Sequence, residues 1–296
     1  MRVKIIINPG AGQPQPVLSI LNDTLGEAGL DWDVAITHKS GDGFAAAKKA
    51  ADDGCDLVCS YGGDGTVSEV AAALSGSNTP MGILPGGTGN GLAEDLGIPN
   101  DLKAAATLIA SQAYELRSVD IGRVGDKLFV LRVTMGFETS VVEDATRELK
   151  DKYGWLAYAF AALKTLTNPP KAMYRVEVDG ESHEAEGLAC IVANSASTGV
   201  MGMRLSDKVD VSDGQLDVII AESTDLATLA ESAADAAGGS EPRSFFRWRG
   251  TKIKVESTPA QSVLADGEDA GQTPVEVSIL PGALKIAVPR TDEASG

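Results

Sequence analysis

The sequence has 296 residues, 43% of them hydrophobic, and a formal net charge of −17 at pH 7. This length predicts two domains or one large one, with enough apolar residues for a proper core. The negative charge argues against general nucleic-acid binding, because a phosphate backbone would be repelled, and any contact with an anionic membrane needs a local basic patch.

Residue counts and the first residues of the chain limit the cellular compartments in which we expect this protein. Two histidines exclude a histidine-rich metal site, and three sparse cysteines in apolar surroundings indicate buried thiols in a reducing compartment. No apolar run approaches the length of a bilayer-spanning helix. The first apolar run, Ile5 to Ile7, stops at Asn8-Pro9-Gly10 without a small-residue cleavage site. We therefore expect a cytoplasmic protein that begins on a β-strand.

Short apolar strands alternate with amphipathic helices over the first 115 or so residues. The predicted strands cover residues 3–7, 32–36, 56–60 and 81–84, and the predicted helices cover 17–28, 43–52, 66–74 and 102–111. This alternation predicts an N-terminal α/β domain, residues 1–118, with a parallel sheet and right-handed crossovers.

After Val119 the pattern changes to strands. The predicted strands cover residues 128–134, 173–178, 188–193, 216–221, 251–256, 275–279 and 284–288, with helical patches at 139–166 and 226–236. We expect an antiparallel, β-rich second domain, residues 119–290, whose last strand could return to the first domain. The tail at 291–296 is expected to fray.

Three glycine-rich segments follow predicted strands: "INPGAG" (7–12), "YGGDGT" (61–66) and "GILPGGTGNGLA" (82–93). Ligands bind outside the carboxyl ends of strands in open α/β sheets. Glycines let backbone N–H groups approach an anion closely, and a helix start adds positive partial charge. One such loop would usually be an ordinary tight turn. Three at successive strand ends predict an anion-binding crevice.

Asp64 lies within the second of these loops. A carboxylate beside phosphate oxygens is reasonable only if a cation bridges them, so the loop predicts Mg²⁺ together with a nucleotide. The sequence contains no G-x-x-x-x-G-K-[ST] motif, which excludes a Walker-type NTPase, and no G-x-G-x-x-G after the first strand, which disfavours a dinucleotide dehydrogenase.

At these residues the sequence resembles the soluble bacterial lipid kinases that share the diacylglycerol-kinase catalytic domain, relatives of the sphingosine kinases. The shared motifs follow one order along nearly the whole chain: "INP", "THKSGDG" (37–43), "GGDGTVSEV" (62–70), "GILPGGTGNGLAEDLGIP" (82–99), "VDIGRV" (119–124), "YGWLAYAFAAL" (153–163), "VSDGQLDV" (211–218), "ADGED" (265–269) and "ILPGALKIAVP" (279–289). The resemblance implies an NAD-kinase/diacylglycerol-kinase-like fold and ATP-dependent phosphorylation of a lipid hydroxyl.

The resemblance also implies roles for individual residues. It implies a nucleotide site formed by Asn8, Thr37, Gly62, Gly63, Asp64, Gly65, Thr66, Val67, Ser68, Glu69, Gly87, Thr88 and Asn90. It implies a structural Mg²⁺ held by the Asp213 side chain and by the backbone carbonyls of Asp210 and Gln215. Glu268 or Asp266 would take the acceptor proton, and Asp64 would be catalytic as well. Family members often carry an acidic residue where this chain has Gly91, so the acceptor lipid stays open.

The residues themselves also allow simpler interpretations. Asp266-Gly267 and Asp213-Gly214 are both common turn pairs and need no catalytic or metal role. A carboxylate within hydrogen-bond reach could nevertheless accept the proton of a lipid hydroxyl, and oxygen ligands suit Mg²⁺.

A basic and aromatic run, "RSFFRWRGTKIK" at 243–254, stands out in this acidic chain. It is typical of a strand with a solvated cationic face, and the alternative is a peripheral membrane-contact patch through which the enzyme meets a lipid substrate. The sequence leaves the oligomeric state open, a homodimer included.

Two other functions remain possible from the sequence. One is a small-molecule kinase of the NAD-kinase type, whose GGDGT loop is similar. The other is a nucleotide-binding regulator without catalysis, which loss of Asp64, Asp266 or Glu268 would favour; all three are present.

Overall fold

A computed structural model describes residues 1–12, 15–136, 170–197, 205, 209–222 and 245–290. The predicted helical patches at 139–166 and 226–236 and the predicted frayed tail lie outside the described residues. The chain divides into two compact units. Unit 1 is Met1–Val119 with the described residues from Gly282 onward, and unit 2 is Asp120–Pro281.

Unit 1 is an α/β unit built on parallel strands. Its strands are β1 (Arg2–Ile7), β2 (Asp31–Ile36), β3 (Leu57–Gly62) and β4 (Met81–Pro85), in the order β2-β1-β3-β4. Every pair in this order is parallel, and Ile286 of the last strand pairs in parallel with Met81. The helices are α1 (Val17–Leu21), continued by a π-helical turn (Asn22–Gly26), α2 (Asp42–Asp52), α3 (Asp64–Leu74), α4 (Gly91–Asp95) and α5 (Leu102–Ser111).

The burial of these elements follows from their sequences. All residues of β3 and β4 are buried, as expected for central strands covered on both faces. Helix α3 buries an apolar stripe at helical spacing: Val67, Val70, Ala71 and Leu74. Helix α5 is preceded by Asp101, whose side chain caps the helix by accepting a hydrogen bond from the Ala104 amide at 2.8 Å.

Unit 2 is rich in antiparallel strands. Strand β5 (Tyr114–Val124) runs from unit 1 into unit 2 and is followed by β6 (Lys127–Phe129), β7 (Arg132–Met135), β8 (Ala172–Val178), β9 (Glu181–Gly187), β10 (Ala189–Ala193) and β11 (Leu216–Ala221). The later strands are β12 (Phe245–Gly250), β13 (Lys252–Thr258), β14 (Ser262–Ala265), β15 (Glu268–Gln272) and β16 (Val275–Pro289), which runs back into unit 1.

Two layers of strands form unit 2. One layer has the order β12-β11-β10-β7-β14-β15, and the other joins the first part of β16 to β13, β8 and β9. Their apolar faces share one core that includes Tyr174 and Val255 from the second layer and Val192 and Val218 from the first. The predicted fold class, a parallel α/β unit with a β-rich antiparallel one, is confirmed.

Several predicted elements differ in detail. The predicted strand at 128–134 is interrupted between Phe129 and Arg132, and the two predicted strands at 275–288 are one continuous strand. Strand β9 has no apolar alternation to predict it, because most of its side chains face solvent.

The three cysteines are free thiols. Complete burial raises the pKa of Cys59 to about 12, so this thiol stays protonated and inert.

Candidate functional site

The four parallel strands of unit 1 end at the same level of the sheet, and this places four polar segments at one edge. Ile7, the last residue of β1, pairs with Ile36 on one side and Tyr61 on the other. Gly62 of β3 pairs in turn with Pro85, the last residue of β4. The segments that begin at Asn8, Thr37, Gly63 and Gly86 therefore leave the sheet at the same edge, as the sequence predicts.

The glycines at this edge allow the loops to pack closely on one another. A Cβ on Gly62 would lie 2.4 Å from Thr66 Oγ1, and one on Gly87 would lie 2.5 Å from the Gly63 Cα. A Cβ on Gly12 would lie 1.9 Å from the carbonyl oxygen of Gly86. Packing within unit 1 is therefore enough to explain these three glycines.

Gly65 differs from the other glycines of the loop. It is the second residue of α3, and its φ lies outside the left-handed region. Apart from its chain neighbours and the backbone of its own helix, no described atom lies within 4 Å of where its Cβ would be. A glycine in a helix is less favourable than alanine by roughly 0.5–1 kcal/mol. Among the described residues of unit 1, nothing in the packing requires glycine here, and the space beside it is open.

Asp64 is held at the start of two helices. It is the first residue of α3, and its Oδ1 accepts a hydrogen bond of 2.7 Å from the amide of Gly91, the first residue of α4. Amide groups at helix starts stabilise a negative charge. A half-buried carboxylate fixed in this way is suitable in type as a ligand for Mg²⁺.

Most of the other predicted nucleotide residues also lie at this edge. Asn8 Nδ2 donates to Thr66 Oγ1 at 3.2 Å, and the Thr37 amide donates to the Ile7 carbonyl at 2.9 Å. Gly63 and Ser68 are partly exposed, and Thr88 is exposed. Val67 is the exception, because its side chain is buried in the core of unit 1. Its assignment as a nucleotide contact can therefore concern only its backbone.

Glu69 and Asn90 shape the loops. The Glu69 carboxylate accepts hydrogen bonds from the amides of Gly41 at 2.8 Å and Gly43 at 2.9 Å, at the start of α2. The side chain of Asn90 accepts from the Gly87 amide at 2.9 Å and donates to the Gly87 carbonyl at 2.8 Å. Both side chains thus hold the loops in shape through backbone groups.

In unit 2, Asp266 and Gly267 form the tight turn of the β14–β15 hairpin, with φ of 46° and 87°. The turn interpretation is therefore correct for the backbone. The Asp266 carboxylate also accepts hydrogen bonds from three successive amides, those of Val130 (2.7 Å), Leu131 (3.0 Å) and Arg132 (2.9 Å). Glu268, two residues on, is exposed.

The predicted metal loop is also a turn. Asp213 Oδ1 accepts from the Gln215 amide at 2.9 Å, and Oδ2 is ion-paired with Arg249. Asp210 Oδ1 accepts from the Ser212 amide at 3.0 Å. Within the described residues no group of three His, Cys, Asp or Glu side chains is arranged to hold a metal. The donors are oxygens, as Mg²⁺ prefers, but the one carboxylate is already neutralised by an arginine. The fit is poor, and the Mg²⁺ site stays a prediction.

The described part of the basic run, 245–254, lies in strands β12 and β13, as one of its two interpretations predicts. The Arg247 Nε donates to Asp217 Oδ1 at 2.8 Å, and Trp248 stacks on His183 with ring centroids 4.8 Å apart. Burial raises the pKa of Asp217, and the neighbouring arginines oppose that shift. The carboxylates of Asp217 and Asp213, which pair with Arg247 and Arg249, offset part of the positive charge of the basic run. This weakens the case for a membrane-contact patch. No helix in the described parts of the chain is long and apolar enough to cross a bilayer.

Comparisons with known proteins agree with this architecture. Residues 2–124 match the diacylglycerol kinase catalytic domain, and residues 132–288 match the YegS C-terminal NAD kinase beta sandwich-like domain. A diacylglycerol kinase of Bacillus subtilis (strain 168) is 30% identical over 98% of this chain and 97% of that protein. The chain belongs to the diacylglycerol kinase catalytic-domain family.

Other members of this family are similar over most of their length. A diacylglycerol kinase of Mycobacterium tuberculosis (strain ATCC 25618 / H37Rv) is 32% identical over 80% of this chain and 78% of that protein. The crystal structure of a diacylglycerol kinase from Bacillus anthracis has 26% sequence identity and a TM-score of 0.79, covering 97% of this chain and 96% of that one.

The sequence did not single out two buried residues that organise unit 2 in this family member. Asp120, only 2% exposed, accepts a hydrogen bond from the Gly214 amide at 2.7 Å. Asn194, fully buried, donates from Nδ2 to the carbonyls of Asp120 at 3.0 Å and Val130 at 2.7 Å. The signals in the sequence are that Asp120 lies within the shared motif "VDIGRV" and that Asn194 is a polar residue directly after the apolar run "CIVA".

Proposed function

We propose that this chain is a lipid kinase that transfers the γ-phosphoryl group of ATP to a lipid hydroxyl, with Mg²⁺ accompanying the nucleotide. Membership of the diacylglycerol kinase catalytic-domain family supports a lipid acceptor. One structural observation carries the nucleotide half of the proposal: open space beside Gly65, at a strand-end edge where packing explains Gly12, Gly62 and Gly87.

The nucleotide phosphates are assigned to the loops that follow β1, β3 and β4. Backbone amides near Gly63 and Gly65 and the start of α3, which has 11 residues, offer donors and positive partial charge to a phosphate. Asp64 would hold Mg²⁺, which when bound neutralises charge on the phosphates. Asn8 and Thr66 support this edge through their shared hydrogen bond.

The proton step is assigned to Glu268, and Asp266 is assigned as the residue that positions it. Three backbone amides donate to the Asp266 carboxylate, so its oxygens are engaged in holding the turn. Glu268 is exposed and follows that turn after one glycine. In the reaction the acceptor oxygen bonds to the γ-phosphorus, the bond from that phosphorus to the bridging oxygen of ADP breaks, and Glu268 takes the hydroxyl proton.

The test is transfer of label from [γ-³²P]ATP to a panel of lipid hydroxyls in mixed micelles. The panel contains a diacylglycerol, a sphingoid base, phosphatidylglycerol and an isoprenoid alcohol, with NAD⁺ as a soluble acceptor. Because such lipids reside in membranes, the enzyme would contact a lipid surface peripherally when it binds its acceptor. We expect label in a lipid product that depends on Mg²⁺.

Asp64→Asn is the variant for this test, since it keeps the volume of the side chain and removes its charge. It should abolish transfer while the melting temperature changes little. Label in NAD⁺ alone would refute the lipid acceptor, and full activity in Asp64→Asn would remove Asp64 from the mechanism.

A further inference from the structure

Asn194 joins two segments of unit 2 through one side-chain amide. It follows strand β10, is 0% exposed, and its Nδ2 group donates to the carbonyls of Asp120 and Val130. Both partners are acceptors, so the amide orientation is determined: Nδ2 must face them. The Asn194 backbone amide adds a hydrogen bond of 2.9 Å to the Leu131 carbonyl.

The first partner segment, Val130–Arg132, holds the Asp266 turn. Its three amides all donate to the Asp266 carboxylate. Carbonyl groups of this segment therefore accept hydrogen bonds from Asn194, and its amides donate hydrogen bonds to Asp266. A shift of the segment would move the turn that presents Glu268.

The second partner, Asp120, holds the turn at 210–215. Its carboxylate accepts from the Gly214 amide at 2.7 Å, and its own amide donates to the Val211 carbonyl at 2.8 Å. Asp120 is thus bonded to this turn on both sides of Asp213. The carbonyl oxygen of Asp120 accepts the hydrogen bond from Asn194 Nδ2.

We infer that Asn194 is a positioning residue that holds the 210–215 turn and the Asp266–Glu268 turn in a fixed relation within unit 2. The catalytic consequence of this inference rests on the proposed function. The structural consequence, a fixed relation between the two turns, does not depend on that function. The side chains of Asn194 and Asp120 are almost entirely buried, so water cannot replace a hydrogen bond that is lost there. An amide is required because it supplies two hydrogens to two carbonyls, which a hydroxyl or a carboxylate cannot do.

The experiment compares Asn194→Ala with Val192→Ala. Val192 lies two residues earlier, is also 0% exposed, and has no polar side-chain atom, so its variant loses packing without losing this linkage. Hydrogen exchange measured by mass spectrometry on the folded proteins should show faster exchange in Asn194→Ala for peptides covering 128–135 and 210–216. Val192→Ala should leave the 210–216 peptide close to wild type once global stability is matched, and only the 128–135 peptide can respond to the lost packing, because Val192 pairs with Val133.

Kinetics provide the second readout. Asn194→Ala should lower kcat for lipid phosphorylation by about tenfold or more while the KM for ATP stays unchanged, because the nucleotide loops belong to unit 1. The double variant with Asp266→Asn should lose less than the product of the two single effects, since both act on one turn. If Asn194→Ala does not fold, Asn194→Ser replaces it, and its single hydroxyl should protect only one of the two peptides.

The outcomes separate this inference from the proposed function. A wild type without transfer to any lipid refutes the proposed function, and the exchange result still decides the structural part. Equal exchange and equal kcat in Asn194→Ala and Val192→Ala, in an active enzyme, would overturn the positioning role.

Discussion

Replacing Gly65 by alanine tests whether a ligand explains this glycine. Gly65 is the second residue of α3, and no described atom outside its chain neighbours and its own helix backbone lies within 4 Å of where the added Cβ would be. Its backbone is outside the left-handed region, so alanine can adopt the same conformation without strain. Within the described part of unit 1, the substitution should therefore meet no clash.

The structure predicts opposite effects on stability and activity. Alanine restricts the unfolded chain and is the better helix former, which should stabilise the fold by about 0.5–1 kcal/mol. That free energy corresponds to a rise in Tm of about 1–4 °C for a chain of this size. The new methyl group occupies the space assigned to the nucleotide, so kcat/KM for ATP should fall by about tenfold or more, equivalent to at least about 1.4 kcal/mol.

Two alanine variants serve as controls, measured by thermal denaturation and by the transfer assay. Gly26→Ala also lies in a helical turn, and its Cβ would be 3.3 Å from the Oδ1 of Asn22, an exposed side-chain end that can move. It should change stability little and leave kcat/KM unchanged. Gly62→Ala would bring a Cβ within 2.4 Å of Thr66 Oγ1 and should destabilise the fold by about 1–3 kcal/mol.

The result for Gly65→Ala decides between two explanations. A variant that melts higher and keeps full kcat/KM for ATP would show that no nucleotide approaches this loop. A variant that melts several degrees lower would show that the protein itself requires the glycine, and the steric argument would be wrong.

The remaining predictions concern four carboxylates of unit 2. Glu268→Gln should lower kcat by a factor of about 10²–10⁴ with ATP affinity unchanged, as for loss of a general base, and a Glu268→Gln enzyme of normal kcat would exclude it from the proton step. Asp266→Asn should lower kcat as well and be less than additive with Glu268→Gln; additive losses would separate the two roles. Asp213→Ala should remove any Mg²⁺-dependent rise in Tm measured without ATP, and the same rise in both proteins would place the cation elsewhere. Burial raises the pKa of Asp217 in the folded protein. A carboxyl with a raised pKa stabilises the fold at a pH below its unfolded-state pKa, and this stabilisation is lost as the pH rises through its folded-state pKa. The stability of Asp217→Asn relative to wild type should therefore increase with pH across that window, and a constant difference in denaturation midpoints would contradict this.

The sequence alone predicts the parallel unit and its site edge well. Strands such as β3 and β4 are continuous apolar runs, and the glycine loops that end them are local signals. Parallel strands bring their carboxyl ends to one edge, so Asn8, Thr37 and Asp64 could be placed together without coordinates. The ordered motifs likewise predict the family, which the comparisons confirm.

Residues whose role depends on a distant partner could be assigned only from the tertiary structure. Glu69 is next to the glycine loop in sequence, yet its carboxylate bonds to amides 26 and 28 residues away. Asp213 is a residue type that binds metals, but the charge of its carboxylate is neutralised by Arg249, 36 residues later.

Local sequence determines periodicity, turns and strand ends, because these depend on neighbours along the chain. Which buried donor meets which acceptor depends on how strands far apart in sequence pair and stack. Asn194 shows the difference: its type and position after β10 are visible in the sequence, whereas its bonds to Asp120 and Val130, 74 and 64 residues away, exist only in the folded sandwich.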